Sequence, residues 1–110
     1  MKKLLATLLF LPSMVCAEFW TGNKLYERLT SSDVTDRVQA MGYVMGVYDV
    51  AVHALFCPGN ETNITVGQVQ DMARNWLANN AHRRNESAEK LVTEAFRQVW
   101  PCRNRGGTRL

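Results

Sequence analysis

The spacing of apolar residues constrains the fold of this chain more than any other feature. Between residues 22 and 100 the apolar side chains recur every three or four positions, and runs that alternate apolar with polar residues are missing. This period is typical of amphipathic helices, whereas half-buried strands alternate. The clearest series predicts the apolar stripe of the longest helix and consists of Val34, Val38, Met41, Met45, Tyr48, Val52 and Leu55.

Local signals set the ends of the first two predicted helices. The longest helix has Ser32 or Asp33 as its N-cap and ends at Cys57-Pro58-Gly59, because proline disfavours helical geometry in the residue before it. A shorter helix, roughly Lys24 to Thr30, precedes it.

Two further helices are predicted beyond the proline. Thr65 and Gln68 have the spacing of a capping box, which marks the start of the third long stripe. The last helix begins near Asn85 or Glu86 and stops at Pro101. The sequence therefore predicts an all-α fold, a small four-helix bundle.

The N-terminal segment has the pattern of a secretory signal peptide. Two lysines precede a 12-residue apolar stretch from Leu4 to Val15, and cleavage after Ala17 suits the small residues there. We therefore predict a cleavable signal peptide over residues 1–17, a helical domain over 18–102 and a flexible basic tail over 103–110. The apolar stretch is shorter than the roughly 20 residues that span a bilayer, so we expect export from the cytoplasm without stable membrane insertion.

Loss of the signal peptide would leave Cys57 and Cys102 as the cysteines of the mature protein. An even pair in an oxidising compartment predicts a disulfide. This bond would join the end of the longest helix to the end of the last one. In the chain-entropy model a loop of this length contributes on the order of 4 kcal/mol to stability.

The charge of the chain argues against nucleic acid as a partner. There are 13 basic and 10 acidic residues, but two lysines lie in the predicted signal peptide and three arginines in the tail. The body between them is close to neutral, whereas a duplex-binding surface shows a concentrated basic stripe. The cluster of His82, Arg83 and Arg84 suits the C-terminal end of a helix dipole, and an acidic partner could use it as well.

Asp49, His53 and Cys57 are spaced four residues apart, which places them on one side of the longest predicted helix. Residues in a line along a helix do not converge on one reacting atom, so we predict no catalytic residues. Two alternatives stay open. One is an exported hydrolase or accessory factor that depends on Asp49 or His53, and the other is a small exported metal-binding or ligand-binding helical protein that uses His53, Cys57 and Cys102. No CxxC or HExxH spacing supports a metal site, and we predict neither a metal nor another cofactor.

Gly42 and Gly46 lie one turn apart inside the longest predicted helix, where each costs about 1 kcal/mol relative to alanine. With Tyr43 and Asp49 beside them they would leave a shallow groove that a second helix backbone can approach. The second helix could belong to the same domain, or to another subunit or partner.

The segment that follows Cys57 is a candidate for contacting a partner. It places one acidic residue among neutral hydrogen-bonding side chains, directly beside the predicted disulfide. The segment comprises Pro58, Gly59, Asn60, Glu61, Thr62 and Asn63.

Six stretches of the chain, taken in order, resemble one known group of proteins. They are FWTGNKLYE, GYVMGVYD, FCP, TVGQVQDMARNWL, RNESAEKLV and WPC, and together they extend from Phe19 to Cys102. This pattern resembles the Rap/Tai family of immunity proteins, which protect bacteria against peptidoglycan amidases delivered by type VI secretion.

The resemblance extends to individual residues. Gly42, Tyr43, Gly46 and Asp49 match the family's Gly-Tyr-x-x-Gly-x-x-Asp helix, and the family's Phe-Cys and Pro-Cys cysteines correspond to Cys57 and Cys102. Many relatives carry another cysteine pair, whose positions here hold Leu29 and Ala40, and Trp100 replaces a usual Phe.

The resemblance implies a function as well as a fold. It implies a small helical periplasmic protein, dimeric in some relatives, that binds an amidase effector and blocks its active-site cleft. Such a protein is not an enzyme, because occlusion needs a rigid projection rather than reactive groups. We expect the loop from Pro58 to Thr65 to be the inserting element, with Asn60, Glu61 and Asn63 as polar contacts.

Overall fold

The computed structural model describes residues 19–59 and 63–103. The predicted signal peptide, residues 1–17, lies outside the described residues, as do residues 104–110 of the predicted tail. Within the described ranges the chain forms four α-helices and no strand, as predicted. The helices are α1 (Gly22–Leu29), α2 (Val34–Ala51), α3 (Val66–Asn79) and α4 (Ala88–Val99), with a 3₁₀ turn at Ala81–Arg83 between the last two. None of the described helices is both long and apolar enough to cross a bilayer.

Each helix begins at a polar side chain that accepts a hydrogen bond from a free backbone N–H group. Thr65 and Gln68 form the predicted capping box at the start of α3. Asp33, one of the two predicted caps of α2, accepts from the N–H of Thr35. The cap of α4 is Ser87, so this helix begins later than the predicted Asn85 or Glu86.

The core lies where the four helices meet, and every pair of helices is in contact. Its packing follows the apolar spacing in α1, α3 and α4, each of which buries one face. The largest fully buried side chains are Leu25, Leu29, Val44, Phe56, Val69, Leu77, Leu91, Val92 and Phe96.

The buried face of α2 differs from the predicted apolar stripe. Val34 is 60% exposed and Val38 is 54% exposed, whereas Ala40, Val44 and Ala51 are buried. The prediction is confirmed for Met45, Tyr48 and Val52, which are partly buried against the core, and wrong for Val34 and Val38. Between residues 40 and 48 every position of α2 is apolar or glycine, so periodicity alone does not select the inner face.

The predicted extension of α2 to Leu55 is also wrong. The helix ends at Ala51, and Val52 takes an extended conformation. His53 has a φ of 70°, in the left-handed region, and its N–H donates to the carbonyl of Phe56. This tight turn brings Phe56 into the core, where it is fully buried. Burial of the aromatic ring opposes the cost of a non-glycine residue in the left-handed region.

The N-terminus of α1 is attached to the connection between α3 and α4. The N–H of Gly22 donates to the carbonyl of Glu86 at 2.8 Å, and the N–H of Ala88 donates to the carbonyl of Trp20 at 2.9 Å. A Cβ atom on Gly22 would lie 2.6 Å from Leu91 Cδ1 and 3.1 Å from the Cα of Arg84. The close approach of these two segments therefore requires glycine at position 22.

We predict that Gly22→Ala lowers the free energy of unfolding by about 1–3 kcal/mol, the usual cost of forcing extra atoms into a packed site. Leu91 is fully buried and has little room to move away. Urea unfolding followed by circular dichroism measures the change. Gly67→Ala is the control, because a Cβ there meets only the Thr65 hydroxyl at 3.8 Å. Equal stability of the two variants would contradict the close-approach argument.

Candidate functional site

The predicted disulfide between Cys57 and Cys102 is confirmed, with the two Cα atoms 4.8 Å apart. The N–H of Cys57 also donates to the carbonyl of Trp100 at 2.8 Å. Cys57 follows the turn after α2, so the disulfide connects this turn, rather than the helix end itself, to the segment after α4. One covalent bond and one hydrogen bond therefore hold the two segments together at this end of the bundle.

An aromatic cluster lies beneath the disulfide. The rings of Phe56 and Phe96 are 5.0 Å apart, and Tyr48 packs against Phe56 at 5.3 Å. Trp100 closes the cluster against the same rings. Phe56 directly precedes Cys57, and Trp100 lies two residues before Cys102. The buried rings therefore fix the chain on both sides of the disulfide.

The predicted partner-binding loop is anchored at both ends. Pro58 is buried and Gly59 is exposed with a φ of 73°, whereas Asn60, Glu61 and Thr62 lie outside the described residues. The described chain resumes at Asn63, which is exposed, and Thr65 then caps α3. The structure thus places the two ends of the loop beside the disulfide and the start of α3. Its role in binding remains a prediction.

The structure does not arrange Asp49, His53 and Cys57 along one helix face. Because α2 ends at Ala51, only Asp49 belongs to the helix, and both Asp49 and His53 are exposed. Cys57 and Cys102 are bonded to each other, so neither sulfur is available as the thiolate that zinc binding needs. The disulfide removes the donor set of the alternative metal-binding interpretation.

Gly42 and Gly46 border a groove that no other described helix fills. A Cβ atom on either glycine would meet nothing within 4 Å. Close packing of a helix within the domain, one of the two interpretations of these glycines, is therefore wrong for the described residues: the other helices pack on the opposite side of α2, against Ala40 and Val44. Contact with a second subunit or partner stays a prediction.

The groove has an apolar floor and sides, and its lining was only partly predicted. Tyr43 lines it as well and stacks on Trp20 with ring centroids 4.8 Å apart, whereas Asp49 is exposed outside it. Burial raises the pKa of the Tyr43 hydroxyl, and the nearby charge of Glu89 acts in the same direction. The other lining residues were not predicted from the sequence, and they are Phe19, Val47, Val50, Ala51, Ala54, Leu55, Glu89 and Thr93.

The positive cluster after α3 is partly neutralised inside the domain. Arg83 donates hydrogen bonds to Glu86 and Glu94, both on the α4 side of the connection. Arg84 lies over the ring of Tyr26 at 4.1 Å and donates to the carbonyl of Leu77. The guanidinium of Arg83 lowers the pKa of Glu86 to about 2 and also lowers the pKa of Glu94.

We predict that the stabilising effect of Arg83 depends on pH. The pKa of Glu86 is lower in the folded chain than its ordinary value of 4.5, so the pairing stabilises the fold above about pH 4.5 and is lost as the pH falls towards 2. The difference in Tm between the native chain and Arg83→Met should therefore shrink over this interval. Thermal unfolding at a series of pH values measures it. A difference that stays constant from neutral pH to pH 2 would contradict the pairing.

The described part of the chain therefore offers a rigid, disulfide-anchored end and an open apolar groove, rather than a set of converging reactive groups. A comparison with curated proteins found no significant match. A family model described as Rap1a immunity proteins matches residues 21–102, which span all four helices and both bonded cysteines. This chain therefore belongs to the Rap1a immunity protein family.

Proposed function

We propose that this chain is a periplasmic immunity protein that binds a type VI secreted peptidoglycan amidase and occludes its active site. Family membership supports an immunity function against a secreted effector. The predicted signal peptide and the Cys57–Cys102 disulfide support an oxidising compartment outside the cytoplasm. In this proposal the protein is not an enzyme and acts through its shape.

The attachment of the loop at both of its ends is the observation that supports occlusion as the mechanism. Segment 58–65 leaves the disulfide and the aromatic cluster at one end and enters a capped helix at the other. Fixing both ends lowers the conformational entropy that the loop loses when it enters a cleft. Asn60, Glu61 and Asn63 would supply polar contacts to the amidase.

The family resemblance also suggests a homodimer, which this proposal includes as a separate element. One loop is sufficient to fill one cleft, so occlusion does not depend on self-association.

The test combines the purified protein with the amidase encoded beside it and measures peptidoglycan cleavage. We expect complete inhibition of the amidase once the protein is in molar excess over it, because we expect the complex to be tight. Full amidase activity at saturating protein would refute the proposal.

A charge reversal in the loop tests which surface binds. We expect Glu61→Arg to weaken inhibition about tenfold or more, equivalent to at least about 1.4 kcal/mol of binding free energy. Glu27→Arg is the matched control, because Glu27 is an exposed glutamate of α1 and makes the same change in net charge. Equal inhibition by both variants would contradict the loop assignment while leaving the immunity function in place.

A further inference from the structure

One side of α2 is an apolar groove that the described residues leave open. Gly42 and Gly46 border it, and a Cβ atom on either glycine would meet nothing within 4 Å. Val50 and Leu55 also line it, and they are 84% and 49% exposed. The groove has a volume of about 650 Å³, which lies in the usual range of ligand pockets. It therefore has the size and the lining of a binding site.

A buried polar side chain belongs to the wall of this groove. Thr93 lines the groove from α4, and it is only 8% exposed. Its hydroxyl has no hydrogen-bond partner in the part of the chain that the structure describes. Native proteins rarely leave a buried hydroxyl without a partner, because the missing bond costs free energy. The hydroxyl therefore indicates an occupant that brings a polar atom as well as apolar surface.

The groove adjoins the start of the predicted partner-binding loop. Ala54 lines the groove, and it also lines the depression beside the disulfide together with Cys57 and Gly59. Residues 53–55, which form the turn between the two, are all exposed. Segment 58–65 leaves the domain at this depression. A partner that receives the loop therefore lies next to the groove.

The loop alone is too small for a tight complex. Stable protein–protein interfaces bury about 800 Å² on each partner and involve about 20–30 residues of each. Segment 58–65 has eight residues, and one of them, Pro58, is buried in the domain. A complete interface therefore needs further surface beside the loop. The groove is adjoining surface of the right kind, because apolar anchors in desolvated pockets supply most of the binding energy of an interface.

The charge of the groove is negative. Among the described residues that line it, Glu89 alone carries a charge, and this side chain is exposed at the start of α4. No basic side chain within the described ranges forms an ion pair with Glu89. Asp49, next to Val50 in the chain, is a second exposed acid. The groove is therefore complementary to an apolar group that has a basic side chain beside it.

We propose that the groove is a second docking surface for the amidase and takes an apolar side chain of the enzyme that is flanked by a basic one. The apolar side chain fills the space above Gly42 and Gly46. A polar atom of the same segment forms a hydrogen bond with the hydroxyl of Thr93, and the basic group pairs with Glu89. This inference rests on the proposed function, because its occupant is the effector that the loop inhibits. The loop blocks the active site, and the groove adds affinity.

Titration calorimetry of the protein against the amidase tests the groove. We expect Gly46→Leu to raise the Kd about tenfold or more, because the new side chain takes the space of the apolar group. Ala78→Leu is the matched control, because it introduces the same side chain at an exposed position of α3 outside the groove. Circular dichroism checks that both variants keep their helices.

The outcomes separate this inference from the proposed function. Equal Kd values for Gly46→Leu and Ala78→Leu would overturn the groove contact, while inhibition by the native chain would leave the immunity function in place. A native chain that does not bind the amidase would refute both. Sedimentation equilibrium identifies the other occupant: self-association that Gly46→Leu abolishes without changing the Kd for the amidase would assign the groove to a second copy and exclude the effector.

Thr93→Val tests the hydrogen bond and separates binding from folding. The variant loses a buried hydroxyl that has no partner in the free protein, so its Tm should be no lower than that of the native chain. Its Kd for the amidase should rise about threefold or more, because the bond made in the complex is lost. An unchanged Kd would overturn the role of the hydroxyl in binding.

Glu89→Gln tests the basic group of the occupant. We expect the Kd to rise about two- to fivefold at low ionic strength, the usual range for an exposed ion pair, and the effect to shrink as salt is added. Glu27→Gln is the matched control, because Glu27 is an exposed glutamate of α1 that does not line the groove. Equal Kd values for the two variants at low ionic strength would overturn the ionic contact.

Discussion

Breaking the disulfide between Cys57 and Cys102 is expected to lower the Tm by roughly 15 °C or more. The bond closes a loop across 45 residues of sequence, for which the chain-entropy model gives about 4 kcal/mol. In a domain of this size that is a large part of the total stability. The loop beside Cys57 would also lose one of its anchors, so we expect weaker binding to the amidase.

The variant for this experiment is the double substitution of Cys57→Ser and Cys102→Ser. Scanning calorimetry measures the Tm, and inhibition titrations measure binding. The double variant also provides the control, because a reducing agent should lower the Tm of the native chain and leave that of the variant unchanged. A native chain that melts at the same temperature with and without reductant would contradict the stabilising role of the bond.

Replacing Phe56 by alanine is expected to lower the free energy of unfolding by about 3–5 kcal/mol. The Phe56 ring is fully buried and packs against Tyr48, Phe96 and Trp100, so its removal leaves a cavity in the aromatic cluster. The same ring holds the turn that contains His53. We therefore expect this variant to bind the amidase more weakly as well.

Urea unfolding of Phe56→Ala measures the loss of stability. Val99→Ala is the control, because Val99 lies near the same end of the bundle but is 54% exposed, and exposed truncations change stability little. If the free energies of unfolding of the two variants differ by less than about 1 kcal/mol, the aromatic cluster does not stabilise this end of the domain as expected.

Local signals predicted the helices well. Three-to-four spacing identified all four, and the Thr65 and Gln68 pair located the start of α3. These signals are reliable because capping hydrogen bonds and helical periodicity depend on residues within one or two turns of each other. The cysteine pair was predictable for a different reason, since only two cysteines remain after the predicted cleavage.

The candidate site was less predictable. The ends of the loop could be placed from Cys57 and Thr65, and the two glycines indicated a groove on α2. The full lining of this groove could not be predicted, because it comes from α2 and the turn after it, from α4 and from Phe19. The four-residue spacing of Val34, Val38, Gly42, Gly46 and Val50 is visible in the sequence. Nothing in the sequence, however, indicated that this side of α2 would be the exposed one.

The sequence by itself determined the helical class, the starts of α2 and α3 and the disulfide partners, because each rests on neighbouring residues or on a count of cysteines. Tertiary structure alone decided where α2 ends and which of its sides is buried. The central part of α2, residues 40 to 48, is apolar or glycine at every position, so its orientation depends on how the other three helices pack against Ala40 and Val44. Its end depends on Phe56, whose burial among rings from distant positions outweighs the local tendency to continue the helix.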